Sequence, residues 1–379
     1  MIKYGSQSIS EEDLAAVLDV LKSDFLTQGP AVPKFEAALS EACFSKHTTC
    51  CSSATAALHL SLLALDVGVG DIVWTSPISF VASANAALYT GAKIDFVDIN
   101  LNTFNICEIE LEKRLKLAAK EGALPKVLIP VHMCGASPNM KAIKEICDEF
   151  SVKIVEDASH AIGASYLDVA VGSCSYSDIT VFSFHPVKII TTGEGGAALT
   201  NCSVLDQKLK LLRSHGITRD NSLISSDIGG WYYEQHELGF NYRMTDIQAA
   251  LGTSQLKKLD EFIVKRQSIA DRYKITLKDS GLNLPIEPIG VESSWHLYVV
   301  RTNDKYKRRK LYDRLISAKI GANVHYIPIH LQPYYQKLGY KLGDFPNAEL
   351  YYDTCLTIPI HPNLREDDIR YICDVIVSD

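Results

Sequence analysis

The sequence predicts an α/β fold in which a mostly parallel β-sheet lies between two layers of helices, followed by a smaller α+β unit. Between about residues 50 and 200, short β-rich runs such as "DIVWTSP" and "AKIDFVDI" alternate with helical runs such as "NMKAIKEICDEF". The runs "KVLIPV" and "VKIVED" are almost continuously apolar, which is typical of strands covered on both faces. A chain of 379 residues, 47% of them hydrophobic, has enough material for two domains.

The pattern changes after about residue 245. The run "TDIQAALGTSQLKKLDEFIVKRQSIADRYKITL" has apolar residues at helical spacing and starts with Thr245 and Gln248, a capping-box pair, so we predict one long linking helix. Beyond it we predict a strand at "WHLYVVRT", a helix around "RRKLYDRLISAKIG", a strand at "NVHYIPI" and a final helix after "REDDIRYICDVIV". The predicted boundary separates a large domain, 1–250, from the linking helix and small domain, 251–379.

Composition and charge narrow the classes of partner. The net charge of -7 gives no basic surface for nucleic acid, and apolar stretches such as "AALHLSLLAL" end well short of the roughly 20 residues that span a membrane. The first residues, "MIKYGSQSISEEDLAAVL", lack the pattern of an export signal. We therefore expect a cytoplasmic protein that acts on a small molecule, with no nucleic-acid or membrane partner.

Ten cysteines raise the question of a disulfide framework or a metal site. None are spaced as Cys-x-x-Cys, and most lie in apolar surroundings. We expect core thiols in a reducing compartment and no metal site.

Polar residues follow three of the predicted strands at the points where the strands end. In open sheets of this type, ligands bind beyond the carboxyl ends of the strands, so these side chains are expected to face one cleft. They are Ser79, Asp157, His160, Ser183, His185 and Lys188, together with Phe80, the aromatic residue next to Ser79.

Lys188 is the most informative of these residues. A buried lysine is costly unless it is neutral or bonded, and its amine can form a Schiff base with an aldehyde, so Lys188 is either a surface lysine or a covalent anchor. Pyridoxal phosphate (PLP) needs such a lysine, a carboxylate at its ring nitrogen, an anion site for its phosphate and a flat group against its ring. Asp157 is the candidate carboxylate, although it could instead cap a helix, and Phe80 is the candidate flat group, although it could be a core residue.

The phosphate site has candidates in two segments. In "SSATAALHL", Ser53, Ala54 and Thr55 precede an apolar helical run and would lie at a helix N-terminus, where phosphate is favoured. An ordinary Ser/Thr helix cap explains the same residues. Ser183, on the strand that leads to Lys188, could donate a further hydrogen bond.

Taken together and in order, these motifs resemble those of the sugar aminotransferases of the DegT/DnrJ/EryC1/StrS family over nearly the whole chain. The resemblance is carried by "LTQGP", "SSATAALHL", "EDASHAIGA", "FSFHPVKIITTGEGG", "LLRSHGI", "LGFNYRMTDIQAALG", "HLYVV" and "HYIPIH". It implies the fold-type I architecture of PLP-dependent transferases, similar to aspartate aminotransferase, with a mostly parallel seven-stranded sheet in the large domain and a smaller α+β C-terminal domain.

The resemblance also implies a role for each matching residue of the cofactor site. Lys188 would carry PLP covalently and act as the acid and base of the reaction, Asp157 would hold the ring nitrogen, and His160 would lie near the phenolic oxygen. Phe80 would stack on the ring. The phosphate would be bound by Ala54, Thr55 and Ser183, and by Asn241 of the neighbouring subunit, which implies a homodimer with shared active sites.

A nucleotide-sugar pocket is implied as well, formed by Tyr4, the segment Leu26, Thr27, Gln28 and Gly29, and the pair His325 and Tyr326. Other interpretations stay open there, because Tyr4 could pack as part of the terminus and His325 could be a core histidine. We expect the glycines of "GEGG" to shape the turn after Lys188 rather than to contact a ligand.

Within the family, "DASHA", "FSFHPVK" and "LLRSHGI" are most similar to transaminases of pseudaminic acid biosynthesis. This similarity implies transfer of the amino group of L-glutamate to C4 of UDP-2-acetamido-2,6-dideoxy-β-L-arabino-hex-4-ulose, giving UDP-4-amino-4,6-dideoxy-N-acetyl-β-L-altrosamine. A transaminase for another 4-keto sugar nucleotide, of the UDP-4-keto-arabinose or UDP-bacillosamine type, is a close alternative.

Functions of other classes also have to be weighed. PLP-dependent sugar dehydratases share this scaffold, but the sequences of that branch resemble this one with histidine at the position of Lys188. The lysine therefore argues against a dehydratase. A non-catalytic relative could have lost the anchor, whereas Lys188, Asp157 and Ser183 are all present. A nucleotide-dependent oxidoreductase is disfavoured because no G-x-G-x-x-G follows a first strand.

Overall fold

The computed structural model describes residues 1–220, 223–226 and 229–378. Its helices are α1 (Glu11–Leu21), α2 (Ala31–Cys43), α3 (Ala54–Ala64), α4 (Ala82–Tyr89), α5 (Glu108–Glu121), α6 (Met140–Glu149), α7 (Ser203–Arg213), α8 (Asp246–Leu256), α9 (Leu259–Thr276), α10 (Lys305–Ser317), α11 (Pro333–Gln336), α12 (Pro346–Thr354) and α13 (Glu366–Val377). Short 3-10 helices cover Met133–Gly135 and Ile329–Leu331.

The strands are β1 (His47–Cys51), β2 (Ile72–Thr75), β3 (Lys93–Phe96), β4 (Val127–Ile129), β5 (Lys153–Asp157), β6 (Ser165–Tyr166), β7 (Val169–Ala170), β8 (Ile179–Ser183), β9 (Gly196–Thr200), β10 (Ile217–Thr218), β11 (Glu234–Gln235), β12 (Val291–Glu292), β13 (Tyr298–Arg301) and β14 (Cys355–Ile358).

Seven of these strands form the main sheet, in the order β1-β9-β8-β5-β4-β2-β3. The pairs from β8 to β3 are parallel, whereas β9 is antiparallel to both of its neighbours. Within this sheet β9 therefore runs against the other six strands. The predicted mostly parallel, seven-stranded sheet is confirmed.

The main sheet is buried on both faces, as its continuous apolar strands predict. All five residues of β8 and of β9 are buried. Helix α3 is buried along most of its length and packs against β8 and β9. Helix α2 contributes Phe35 and Leu39 to an apolar cluster that also includes Phe182 and Leu199 from the sheet. The amphipathic α6 covers another part of the sheet through Met140, Ile143 and Cys147.

A further apolar cluster lies in the C-terminal third of the chain. It contains side chains from α9, α10 and α13 together with both strands of the antiparallel pair β13–β14. Ile2 packs against this cluster and is paired with Ile320. The backbone of Gly321 donates a 2.7 Å hydrogen bond to the carbonyl of Ile2, and that of Ile360 donates a 3.1 Å bond to the carbonyl of Tyr4. The division into domains at residue 250 stays a prediction.

The predicted single linking helix is wrong, because α8 ends at Leu256 and α9 begins at Leu259. The capping box of Thr245 and Gln248 is present at the start of α8. At the break, the backbone N–H of Lys258 donates a hydrogen bond to the carbonyl of Gln255, and the Lys258 ammonium contacts Asp13 on α1. The break lets α8 pack against α1 and α2, while α9 packs against α13.

The predicted strand at "NVHYIPI" is also wrong. Asn323 makes an isolated bridge with Thr357, and the chain then leaves the sheet direction for the 3-10 helix Ile329–Leu331. The reason lies in the side chains of His325 and Tyr326, which line the same cavity. Successive residues of a strand point to opposite faces and could not both do so.

The prediction that most of the cysteines are core thiols is confirmed. All ten thiols are free, and eight are buried, whereas Cys107 is half-buried and Cys202 is exposed. None of the helices in the described residues combines the length and the apolar character that crossing a bilayer requires.

Gly196 lies at a crowded point of the main sheet. It pairs with Cys51 on one side and with Ser183 on the other, where β1 and β8 end. A Cβ atom on Gly196 would lie 2.4 Å from the backbone nitrogen of Ala54, the first residue of α3. Gly193, a few residues earlier, has φ of 81° and forms the turn after Lys188, as the sequence predicted for this glycine-rich segment.

Replacing Gly196 with alanine is expected to lower the free energy of unfolding by about 1–3 kcal/mol, because backbone atoms cannot move aside as a flexible side chain can. Urea denaturation of the apo protein measures the change. Gly68→Ala is the matched control, since a Cβ there meets nothing within 4 Å and should change stability by less than about 0.5 kcal/mol. Equal effects of the two substitutions would contradict the close approach.

Candidate active site

A cavity of about 630 Å³ opens at the carboxyl ends of the parallel strands. This is the edge where ligands bind in open α/β sheets. Ten of the residues predicted from the sequence line it, namely Tyr4, Ala54, Thr55, Phe80, Asp157, His160, Ser183, Lys188, His325 and Tyr326. His185 and Ser79, which the strand-end argument also selected, and Ser53 line it too.

Lys188 lies on the loop after β8, half-buried in the wall of the cavity. Its ammonium nitrogen makes no hydrogen bond or ion pair with any described residue. Desolvation lowers the pKa of this amine to about 8, and the negative charge of Asp157 opposes part of the shift. About a tenth of the amine is therefore neutral, and nucleophilic, at pH 7, far more than for an ordinary lysine. The surface-lysine interpretation does not fit these surroundings.

Asp157 ends β5, and its side chain is 6% exposed. Its Oδ2 accepts a 2.6 Å hydrogen bond from the hydroxyl of Ser83, and its Oδ1 accepts one of 2.6 Å from the hydroxyl of Ser159. The backbone N–H of Ser159 adds a 3.2 Å bond to Oδ1. No helix follows Asp157 directly, so its predicted alternative role as a helix cap does not apply.

The start of α3 forms an anion site at the edge of the cavity. Ser53 caps the helix by accepting a 3.1 Å hydrogen bond from the backbone of Ala56. Ala54 and Thr55 are the first residues of α3, and they line the cavity. The N–H groups of a first helical turn lack intrahelical acceptors and favour an anion. Ser183, buried at the end of β8, lies across Gly196 from this helix start.

Three histidines and a tyrosine form the opposite wall. The hydroxyl of Tyr326 lies 3.2 Å from Nε2 of His160, and the ring of His160 lies 4.4 Å from the ring of His296. Burial, with the nearby Lys188 charge among the further causes, lowers the pKa of His160 and of His296 well below the usual range and that of His325 to about 4. Burial raises the pKa of Tyr326. This wall is therefore uncharged at neutral pH.

His296 was missed as a site residue in the sequence analysis. Its signal was a histidine at the start of the apolar run "HLYVV", a motif that the family resemblance included without assigning the histidine a role. The mouth of the cavity also includes Glu194, whose carboxylate lies 3.9 Å from His185.

Phe80, Tyr4 and His325 complete the aromatic lining. Phe80 is 59% exposed and its ring lies 6.2 Å from that of Tyr326, so it is not a core residue. Tyr4 packs against His325 with their rings 5.4 Å apart, and Nδ1 of His325 is hydrogen-bonded to the hydroxyl of Thr357 at 2.8 Å.

Two predicted groups are not in the cavity of this chain. The segment of Leu26, Thr27, Gln28 and Gly29 lies beside the start of α8, where the carbonyl of Leu26 accepts a 3.0 Å hydrogen bond from the backbone of Asp246. Asn241 is exposed and pairs with Ser214. The rings of Phe240 and Tyr242, on either side of it in sequence, stack at 4.9 Å.

The cavity fits the requirements of PLP. An unpaired amine, a buried carboxylate held by hydroxyl donors, a helix N-terminus with a nearby serine and an exposed aromatic ring are arranged around one space. These are the four groups that the cofactor needs.

The DegT/DnrJ/EryC1/StrS aminotransferase family model matches residues 7–377. The chain is 39% identical to a UDP-4-amino-4,6-dideoxy-N-acetyl-beta-L-altrosamine transaminase of Campylobacter jejuni, over 100% of this chain and 97% of that protein. The solved structure of Helicobacter pylori PseC, described as an aminotransferase of pseudoaminic acid biosynthesis, matches with a TM-score of 0.90 and 34% identity, covering 99% and 98% of the two chains.

A putative sugar aminotransferase of Streptococcus pneumoniae, Spr1654, matches in its PMP form with a TM-score of 0.91 and 31% identity, covering 99% of this chain and 98% of that one. Fold and site thus define an aminotransferase with the predicted fold-type I architecture. The chain belongs to the DegT/DnrJ/EryC1/StrS aminotransferase family, as its motifs predicted.

Lys188 of the apo protein should be labelled selectively by PLP and cyanoborohydride, with a rate that rises through a midpoint near pH 8, because the neutral amine is the reactive form. Peptide mass spectrometry measures the labelling. Asp157→Asn should shift the midpoint to lower pH, since the carboxylate favours the charged amine. Lys188→Arg is the control without a reactive amine. If the labelling rate of Lys188 had the same pH dependence as that of exposed lysines, the lowered pKa would be refuted.

Proposed function

We propose that this protein is a PLP-dependent aminotransferase that moves the amino group of L-glutamate to C4 of a UDP-4-keto-6-deoxy-N-acetylhexosamine. The observation that carries the proposal is the unpaired Lys188 amine, with a pKa of about 8, in a cavity that also contains Asp157 and the start of α3. A dehydratase that uses histidine at this position is disfavoured by the same lysine.

Each residue of the cavity has a task in this reaction. PLP, when bound, supplies a carbonyl that exchanges amino groups and an electron sink. The N–H groups of Ala54 and Thr55 and the hydroxyl of Ser183 bind its phosphate. The Asp157 carboxylate keeps the proton at the ring nitrogen, and Phe80 covers the face of the ring.

Lys188 anchors the cofactor and then moves a proton at the substrate carbon. Its lowered pKa suits this task, because an amine that titrates near neutral pH can both accept and donate a proton. His160 would lie near the phenolic oxygen of the bound cofactor, where its neutral imidazole could take part in a hydrogen bond without adding charge. The buried Tyr326 hydroxyl keeps its own proton and bonds His160.

The sugar nucleotide occupies the aromatic side of the cavity in this proposal. Tyr4, His325 and Tyr326 line that side, whereas the segment of Leu26, Thr27, Gln28 and Gly29 lies outside the cavity of this chain and would contribute only from a neighbouring subunit. With His325 neutral, this side can hold an uncharged keto sugar without attracting a second anion. The Campylobacter relative is named for UDP-4-amino-4,6-dideoxy-N-acetyl-beta-L-altrosamine. The proposed product is this amino sugar, and the proposed acceptor is the 4-keto sugar UDP-2-acetamido-2,6-dideoxy-β-L-arabino-hex-4-ulose.

The active enzyme is proposed to be a homodimer with shared active sites. Asn241 supports this, since it is exposed and lies outside the cavity of its own chain, while its two neighbours in sequence, Phe240 and Tyr242, stack on each other. There it can reach the phosphate in a neighbouring subunit. The proposed place of action is the cytoplasm, in the synthesis of pseudaminic acid, a pathway named for the Helicobacter structure.

Purified protein reconstituted with PLP should show a visible absorbance band that L-glutamate removes and the UDP-4-keto-hexosamine restores. Mass spectrometry should detect the UDP-4-amino sugar, and Lys188→Ala should lose more than about a thousandfold in rate. UDP-4-keto-arabinose and other UDP-4-keto-hexoses are the comparison substrates. Faster turnover of one of these would replace the proposed acceptor, and absence of the band in wild type would overturn the role of Lys188.

Co-expressed Lys188→Ala and Asn241→Ala subunits should recover roughly a quarter of wild-type activity, although each variant alone is inactive. Half of the dimers are then mixed, and each mixed dimer has one site with both Lys188 and the partner's Asn241 intact. The transamination assay on the unfractionated mixture measures it, and mixed dimers isolated by dual-tag purification should reach about half of wild-type activity. No recovery in purified mixed dimers would show that Asn241 does not act across an interface.

A further inference from the structure

A short chain of hydroxyl groups lies behind Asp157. The hydroxyl of Ser83, in the first turn of α4, donates to Oδ2 of Asp157 at 2.6 Å. The hydroxyl of Ser79 lies 2.7 Å from that of Ser83. Both serines are buried, at 4% and 0% exposure for Ser79 and Ser83. At that depth a hydroxyl needs a partner within the protein.

The donor and the acceptor in each hydrogen bond of this hydroxyl chain follow from the number of protons that each hydroxyl can donate. A serine hydroxyl has one proton to donate. Asp157 is the closer acceptor for Ser83, since the alternative, the carbonyl of Phe80, is 3.3 Å away. Ser79 therefore donates to Ser83, and the chain runs from Ser79 through Ser83 to Asp157. Successive hydrogen bonds of this kind strengthen one another, and donors to a charged oxygen form the strongest bonds.

The hydroxyl chain also fixes the geometry of the carboxylate. Ser83 holds Oδ2, and Ser159 holds Oδ1, so rotation of the carboxylate would break bonds on both sides. Ser79 immediately precedes Phe80, and Ser83 follows three residues later. One short segment therefore presents the Phe80 ring to the cavity and orients Asp157.

We infer that Ser83, supported by Ser79, is a positioning residue for the ring nitrogen of the cofactor. It acts through Asp157, whose carboxylate it holds in a fixed orientation. The inference rests on the proposed function, in which Asp157 holds that nitrogen. Ser83 itself does not line the cavity, so it has no direct contact to offer a ligand.

Ser83→Ala is expected to weaken the binding of PLP to the apo protein by about tenfold, because a hydrogen bond to a charged group is lost. Binding of a PLP analogue with carbon in place of the ring nitrogen should stay unchanged, because Asp157 has no nitrogen to hold in it. Fluorescence titration measures both dissociation constants. Ser83→Cys, a weaker donor of similar size, should fall between wild type and Ser83→Ala.

Equal losses for PLP and the analogue, or no loss for either, would overturn the inference. Ser61→Ala is the matched control, since Ser61 is also fully buried but donates to the carbonyl of Ala57 in its own helix. Asp157→Asn separates the two proposals. If it leaves PLP binding unchanged, the proposed role of Asp157 fails. If it selectively weakens PLP binding while Ser83→Ala does not, only the inference about Ser83 fails.

Discussion

The site depends on one electrostatic constraint, which is that a lysine amine sits in a desolvated wall without a hydrogen-bonding partner among the described residues. Burial disfavours its charge, and the nearby carboxylate of Asp157 compensates in part. The balance between these opposing effects brings the pKa of the amine to about 8, so that deprotonation costs little near neutral pH. Any change that adds a second carboxylate or admits water would return Lys188 to the behaviour of an ordinary lysine.

The histidines and the tyrosine of the opposite wall maintain this balance by adding no further charge. His160, His296 and His325 are neutral because burial and the lysine disfavour their protonation, and Tyr326 keeps its proton. Removing neutral imidazoles and phenols from water costs less free energy than removing ions. The cavity can therefore offer many hydrogen-bonding groups while it has few charges. The charges that develop in it are then those of the cofactor and the substrates.

Much of this arrangement was predictable from local sequence. Alternating runs predicted the parallel sheet, and polar residues at strand ends identified Asp157, Ser183 and Lys188. The pattern failed where tertiary contacts override it. The helical spacing of apolar residues continues through Lys258, so it gave no sign of the turn there, which a contact with Asp13 stabilises. The strand-like run likewise gave no sign of the bend that lets the side chains of His325 and Tyr326 line one cavity. Residues such as Ser83, which act through a neighbour distant in sequence, have no local signal.

The attachment of the N-terminal segment has a consequence for the order of folding. Ile2 is hydrogen-bonded to Lys319 and Gly321, and Tyr4 to Ile360, so one wall of the cavity joins the two extremes of the chain. Contacts between residues so far apart in sequence close a very large loop, and loop closure of this kind is slow. During synthesis on the ribosome, Tyr4 would wait for its neighbours until almost the whole polypeptide had emerged.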